Sequence, residues 1–122
     1  MKKVKMIDIY SSVSTINSIL ELKMSIDTSK KLVDLIKEIN EHLQVAEKTR
    51  NELLEKYGKK TPKGEYNIPD NKKKQFTEDL NKYLFDTEVS IYSPLLKKQD
   101  FDRNFTISPS DLTLISYLMD YD

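Results

Sequence analysis

The chain has 122 residues, 38% hydrophobic and 33% charged, a balance that suits one domain whose elements each bury one face and solvate the other. Its 20 basic and 20 acidic residues cancel, so net charge names no polyanionic partner; the lack of cysteine excludes disulfides, thiolate metal sites and a cysteine nucleophile. The apolar run after Met1 is too short and too interrupted by Lys5 and Asp8 for a signal peptide, and no stretch approaches the ~20 apolar residues of a membrane helix, so a cytoplasmic setting without membrane is expected.

From Lys3 to Ile9, partial alternation around Val4 and Met6 suits a short edge strand. Ile9, Val13, Ile16 and Leu20 then recur at the spacing of one helix face, which predicts a first helix to about Leu22. Its serines and β-branched residues make it depend on packing. Asp27, Thr28 and Ser29 are candidate N-caps for a long amphipathic helix, Thr28 to Tyr57. Leu32, Ile36, Ile39, Leu43, Ala46, Arg50, Leu53 and Tyr57 step by four and three as a heptad seam, and Leu35 and Leu54 broaden it. Val33 and Val45 fall outside the stripe. Gly58 is expected in the left-handed conformation that ends helices. At 1.5 Å per residue this helix is roughly 45 Å long, and its stripe demands an apolar partner surface. The other helices, a second copy (a homo-oligomer through a coiled-coil-like contact) or a target protein would each serve.

Residues 58–71 contain Gly58, Gly64, Pro62 and Pro69 and read as a flexible basic hinge, with Tyr66 and Ile68 spaced for a short strand. A third helix is predicted from Asn71 to Asp86, with Phe76, Leu80, Tyr83 and Leu84 on one face. Thr87 to Ile91 alternates as another strand before Pro94. Ser108-Pro109-Ser110-Asp111 places a capping serine, proline at N1 and a carboxylate at N3, starting a last helix that buries Leu112, Ile115, Leu118 and Met119. The expected fold is therefore mainly α: a single-domain helical bundle around one long amphipathic helix, with a few short strands.

These landmarks, EKTRNELLEKYG (47–58), PKGEYNIPDNKKKQFTEDLNKYLFDTEVSI (62–91) and ISPSDLTLISYLM (107–119), give the chain a layout that resembles a family of short proteins from bacteriophages and prophages, largely of Gram-positive hosts. The resemblance covers most of the chain and rests on caps, turns and core positions. It implies a viral source and a life in the cytoplasm of an infected bacterium, and it carries over no activity and no functional residues. The serine-rich YSSVSTINSI (10–19) departs from that layout.

Several residues invite chemistry. Asp100, Asp102, Asn104, Thr106, Ser108 and Asp111 occupy the ligand positions of a calcium loop, but Phe105 stands where the loop's sharp turn needs glycine, and a surface turn followed by a helix cap explains Ser108 and Asp111 as well. Arg50 lies inside the apolar stripe, either as a cation held for a partner or as a stem that packs and snorkels or pairs with a carboxylate of the C-terminal third. His42, the single histidine, reads as a partly exposed helix residue, because a zinc site here would need three carboxylates beside it. Lys59, Lys60, Lys63, Lys72, Lys73 and Lys74 flank the hinge with Tyr66 between them, either a solvated loop or a phosphate-binding surface. The acidic C-terminal third, ending in Asp120, Tyr121 and Asp122, is a solvated face or a mimic of nucleic acid.

No P-loop, dinucleotide fingerprint, GxSxG or HExxH is present, so neither an enzyme nor a cofactor is expected. The leading expectation is a phage accessory protein that binds a host or phage protein complex, and more narrowly an inhibitor of a host defence system. Arg50, the six lysines and Tyr66 are its candidate partner-binding residues. A virion or assembly component and a nucleic-acid-binding accessory are the alternatives.

Overall fold

The computed structural model describes residues 1–101 and 106–120. The chain runs β1 (Lys2–Lys5), α1 (Met6–Ser11), α2 (Val13–Ile19), α3 (Ile26–Tyr57), β2 (Lys59–Lys60), β3 (Tyr66–Asn67), α4 (Asp70–Asp86), β4 (Glu88–Ile91), β5 (Leu96–Lys97), α5 (Pro109–Ile115) and β6 (Met119–Asp120). Short 3-10 turns cover Lys98–Asp100 and Ser116–Leu118. The architecture is mainly α with minor β content, organised on the 32-residue α3.

Three two-stranded pairings decorate the helices. β1 and β4 run antiparallel with Val4 opposite Val89, β2 and β3 form a hairpin, and β5 and β6 pair in parallel with Leu96 opposite Met119. α1 packs on both α3 and α4, and α2 packs on α5. The core gathers Met6, Ile9, Leu35, Ile39, Ile91, Leu96, Ile115 and Leu118, all fully buried, with Val4 of β1, Ile16 and Ile19 of α2 and Leu84 of α4 around them; the β2–β3 hairpin contributes no buried residue.

The predicted first helix, Ile9 to Leu22, is instead two short helices that meet at Ser12. Ser12 is completely buried there; its hydroxyl donates to the Ile9 carbonyl (2.9 Å) and lies 2.6 Å from the Tyr117 hydroxyl. A serine that turns its side chain back onto the preceding turn competes with the backbone ladder, which accounts for the break. The polar N-terminal segment packs because its buried hydroxyls are satisfied.

α3 begins two residues before Thr28. Ser25 is its N-cap, accepting from the Thr28 amide (3.2 Å), while the Thr28 hydroxyl donates to the Asp100 carbonyl (3.2 Å). Thr28, read as a candidate cap, is thus a buried tertiary contact. The heptad seam splits into two rows. Leu32, Ile39 and Ala46 are buried, whereas Ile36, Leu43, Arg50 and Tyr57 are half-buried throughout; Leu35, placed at the stripe's margin by the sequence pattern, is fully enclosed. Val33 and Val45 are exposed, as their positions outside the stripe require.

Gly58 departs from the expected left-handed geometry: its φ of −96° and ψ of 165° are ordinary extended backbone. The glycine is needed for closeness instead. A Cβ there would sit 2.6 Å from the Leu54 carbonyl oxygen and 3.3 Å from the Tyr66 Cβ. Gly58→Ala is therefore expected to destabilise by about 1–3 kcal/mol, the range for overpacking, measured by urea denaturation. Gly64, with φ of 84° and open space around it, is where the left-handed turn lies.

The hinge predicted over 58–71 carries the β2–β3 hairpin. Its loop is closed by the Thr61 amide to the Glu65 carbonyl (2.6 Å), the Gly64 amide to the Thr61 carbonyl (2.9 Å) and the Glu65 amide to the Thr61 hydroxyl (3.2 Å). At the far end, Ser108 caps α5 as expected, accepting from the Asp111 amide (3.2 Å). The last helix is shorter than predicted, however. It gives way after Ile115 to a 3-10 turn, and Met119 is buried on a strand while Leu112 stays exposed.

Candidate functional site

Four surfaces hold the residues with chemistry to offer. The first is where α3 meets the end of β4. Glu38 and His42, one turn apart on α3, face the edge of β4 that β1 does not cover. The Glu38 carboxylate accepts from the Tyr92 amide (2.8 Å), the Ser93 amide and the Ser93 hydroxyl, and His42 Nε2 donates to the Ser90 carbonyl (3.1 Å). α3 thereby satisfies backbone groups that an open strand edge would leave to another chain. His42 is half-buried and structural in this arrangement. Burial pushes the Glu38 carboxyl up, but the Ser93 hydroxyl, the Tyr92 and Ser93 amides and nearby His42 outweigh it and hold it below its ordinary value of 4.5.

A folded value below the ordinary one means that this contribution is complete above pH 4.5 and is lost as pH falls through the depressed value. Glu38→Gln is expected to destabilise by roughly 1–2 kcal/mol at neutral pH, the lower part of the range for hydrogen bonds to a charged group because the carboxylate is partly solvated. Thermal melts of both proteins should converge as pH is lowered toward 3; a constant gap would contradict the assignment.

The second surface is the turn after β5. Asp100 Oδ2 accepts from Lys31 Nζ (2.9 Å) and from the Lys97 amide (2.7 Å), locking the N-terminal half of α3 to the chain's C-terminal third. Burial raises the Asp100 carboxyl while Lys31 and the Lys97 amide lower it, and the net direction is down. Asp100 is also the first residue of the calcium-loop pattern, so that carboxylate is already engaged by a cation of the chain. Asp102, Asn104 and Phe105 of that pattern lie outside the described residues, as do Tyr121 and Asp122 of the acidic end. Asp111 Oδ1 is occupied by the Thr15 hydroxyl (3.4 Å). Among the described residues no group of three or more His, Asp or Glu side chains converges as metal ligands would.

The third surface is apolar. Ile26, Val33 and Leu20 are 74%, 51% and 50% exposed, large aliphatics left in water at the start of α3 and the end of the α2 segment. Ile26 and Val33 lie seven residues apart on one side of α3, and Val33 is one turn from Ile36. Ile36 and Leu43 then line a narrow crevice with Val13, Ile16 and Leu20 of the α2 segment. The heptad pattern shows that Val33 is off the buried stripe; it does not show that this flank is itself apolar where α2 ends, so the sequence expectations passed over Ile26, and Leu20, expected on the packed face of the first helix, is instead half exposed because α2 stops at Ile19.

The fourth surface is the far end of α3 and α4. No residue of α3 after Ala46 is buried, and Leu84 is the sole buried residue of α4. The two helices therefore continue past the core, α3 by eleven residues or roughly 16 Å, with the β2–β3 hairpin at their tip. Along this arm Tyr57 donates to Asp79, which also takes Gln75 (2.8 Å), and Leu54, Tyr66, Ile68 and Phe76 border a shallow groove with Lys73 at its rim. Hydrogen bonds from Tyr57 and Gln75 hold the half-buried Asp79 carboxyl below its ordinary value. Arg50 is half-buried on the same arm and forms no ion pair with any described residue.

The structure brings Lys59, Lys60, Lys63, Lys72, Lys73 and Lys74 to one end of the arm, all exposed, with Tyr66 half-buried opposite Lys60 in the hairpin. Arg50 lies some two turns of helix away from that cluster. Among the described residues no helix is long and apolar enough to cross a membrane. Compared with protein-family models, with curated proteins and with solved structures, the chain matches none.

Proposed function

We propose that the chain is a non-catalytic accessory protein that acts by binding another protein, with the α2–α3 flank as its docking face. The observation that supports this reading is the exposed pair Ile26 and Val33 on one side of α3, followed one turn on by the half-buried Ile36, which with Leu43 and the exposed Leu20 lines the crevice. Apolar side chains at the rim of a crevice supply the kind of anchor around which protein interfaces form. The resemblance to phage proteins supports a narrower version, in which the partner is a host or phage complex and the outcome is inhibition of host defence.

The test is affinity capture from a Gram-positive host with the full chain and with Ile26→Glu and Val33→Glu. Both positions are exposed, so the variants should fold with melting temperatures close to the parent's. A partner retained by the parent and lost by both variants is the expected result. A partner retained equally by all three, or self-assembled particles of the parent in light scattering, would overturn the reading, the latter in favour of an assembly component.

A further inference from the structure

From the arm's tip, and independently of the apolar flank, we infer that the β2–β3 hairpin and the start of α4 form a binding surface for the phosphate backbone of duplex nucleic acid. Residues 58–75 carry six lysines against Glu65 and Asp70, an excess of four in a chain whose total charge is zero, so the remainder of the molecule carries a deficit of four. The protein is thus electrostatically polarised, and a polyanion draws it in tip first.

The hairpin is what makes this one surface. Pairing of Lys59 with Asn67 and Lys60 with Tyr66 folds the first lysine group back toward the start of α4, where Lys73 borders the same groove as Tyr66 and Asn67. Only Lys73 is neutralised locally, by Asp70 at 2.9 Å; Lys59, Lys60, Lys63, Lys72 and Lys74 have no ion pair with any described residue. The α4 N-terminus adds to the same sign. Pro69 at its N-cap offers no side-chain acceptor, and of the first-turn amides that of Lys72 donates to the Pro69 carbonyl (2.9 Å); three lysines that the helix dipole disfavours follow, with Asp70 the one acidic residue of that turn. This unfavourable accumulation of positive charge is relieved by an anion spanning the hairpin and the helix start.

The composition of the tip selects the kind of polyanion. A protein interface would place apolar anchors at its centre, and the tip's exposed positions are the six lysines with Pro62, Gly64, Glu65, Asn67, Asp70, Asn71 and Gln75, none of them a large apolar side chain. A single-strand site would present stacking platforms, and the lone aromatic of residues 58–75, Tyr66, is half-buried within the hairpin. Ammonium groups on a short, hydrogen-bonded ribbon suit phosphates, and contacts of that kind position a protein without reading bases.

Fluorescence anisotropy with a labelled DNA duplex of mixed sequence tests this on the full chain. Five unpaired lysines predict a log–log salt slope of about −4.5, hence roughly 500-fold weaker binding at 200 mM than at 50 mM salt. Lys59→Glu with Lys60→Glu should weaken binding at least about tenfold and flatten the slope by about two. Lys23→Glu with Lys30→Glu, the same charge change on exposed residues away from the tip, should leave the slope unchanged; circular dichroism confirms that each variant is folded. No binding at 50 mM salt below about 100 µM protein, the weak end of non-specific affinity, would overturn the inference. So would equal losses in the tip and control variants, tighter binding to a single strand than to the duplex, or equally tight binding to polyglutamate, which would assign the tip to an acidic protein.

Discussion

Leu35→Ala should cost about 3 kcal/mol, within the usual range for a buried leucine, and lower the melting temperature by on the order of 10 °C. Ile36→Ala, its immediate neighbour, should cost about 1 kcal/mol, because the side chain is only half removed from water. The contrast is diagnostic. In a symmetric two-stranded coiled coil built on the seam, Ile36 would be a core position and Leu35 a flank, and the order would reverse. In the observed fold Leu35 is wholly enclosed, and deleting its terminal isopropyl group leaves a void that neighbouring side chains cannot fill without strain. Urea denaturation of the two variants at several protein concentrations settles which surface α3 uses for folding.

The second large effect is expected at the α1–α2 junction. Ser12→Ala should cost about 2 kcal/mol, and Tyr117→Phe about 1 kcal/mol or less, although both remove the same 2.6 Å contact. The asymmetry follows from what each leaves behind. Without the serine, the Tyr117 hydroxyl is buried with its partner gone. Without the tyrosine hydroxyl, Ser12 still donates to the Ile9 carbonyl. The double variant should therefore lose less than the sum of the two. The same enclosure shifts the phenol: burial, opposed by the Ser12 hydrogen bond and reinforced by Asp8, pushes Tyr117 up to about 12. A spectrophotometric titration of the folded protein should find this tyrosine ionising last, and Ser12→Ala proteins that melt like the parent would contradict the pairing.

What could be read from the sequence follows the range of the forces involved. The Ser108-Pro109 start of α5 and the stripe of α3 are local, set by neighbours within one or two turns, and both are present. The cap of α3 was ambiguous among several hydroxyl and carboxylate residues because the deciding contact, Thr28 to Asp100, spans 72 residues. The break at Ser12 uses a local bond to the Ile9 carbonyl, but which of the segment's several serines turns inward is not written in the local pattern, since Ser12 is the one buried against Tyr117, 105 residues away. Of the surfaces, the lysine-rich segment was evident as composition, but its gathering at one tip needed the pairing of 59–60 with 66–67. The apolar flank was hidden because helix periodicity identifies which side chains leave the stripe, not whether another element covers them.

The continuation of α3 and α4 beyond the core makes one unbroken helix belong to two zones of stability. From Leu32 to Ala46 the helix is packed into the core, so exchange of its amides with solvent is expected to require global unfolding. From Glu47 onward they are protected only by the half-covered arm, so they open through a smaller, separate fluctuation that takes the hairpin and the start of α4 with it. Anything that grips the tip would suppress that fluctuation alone. Hydrogen exchange along α3 would then register an occupant as a change confined to its last three turns, with the signal from Leu32 to Ala46 unmoved.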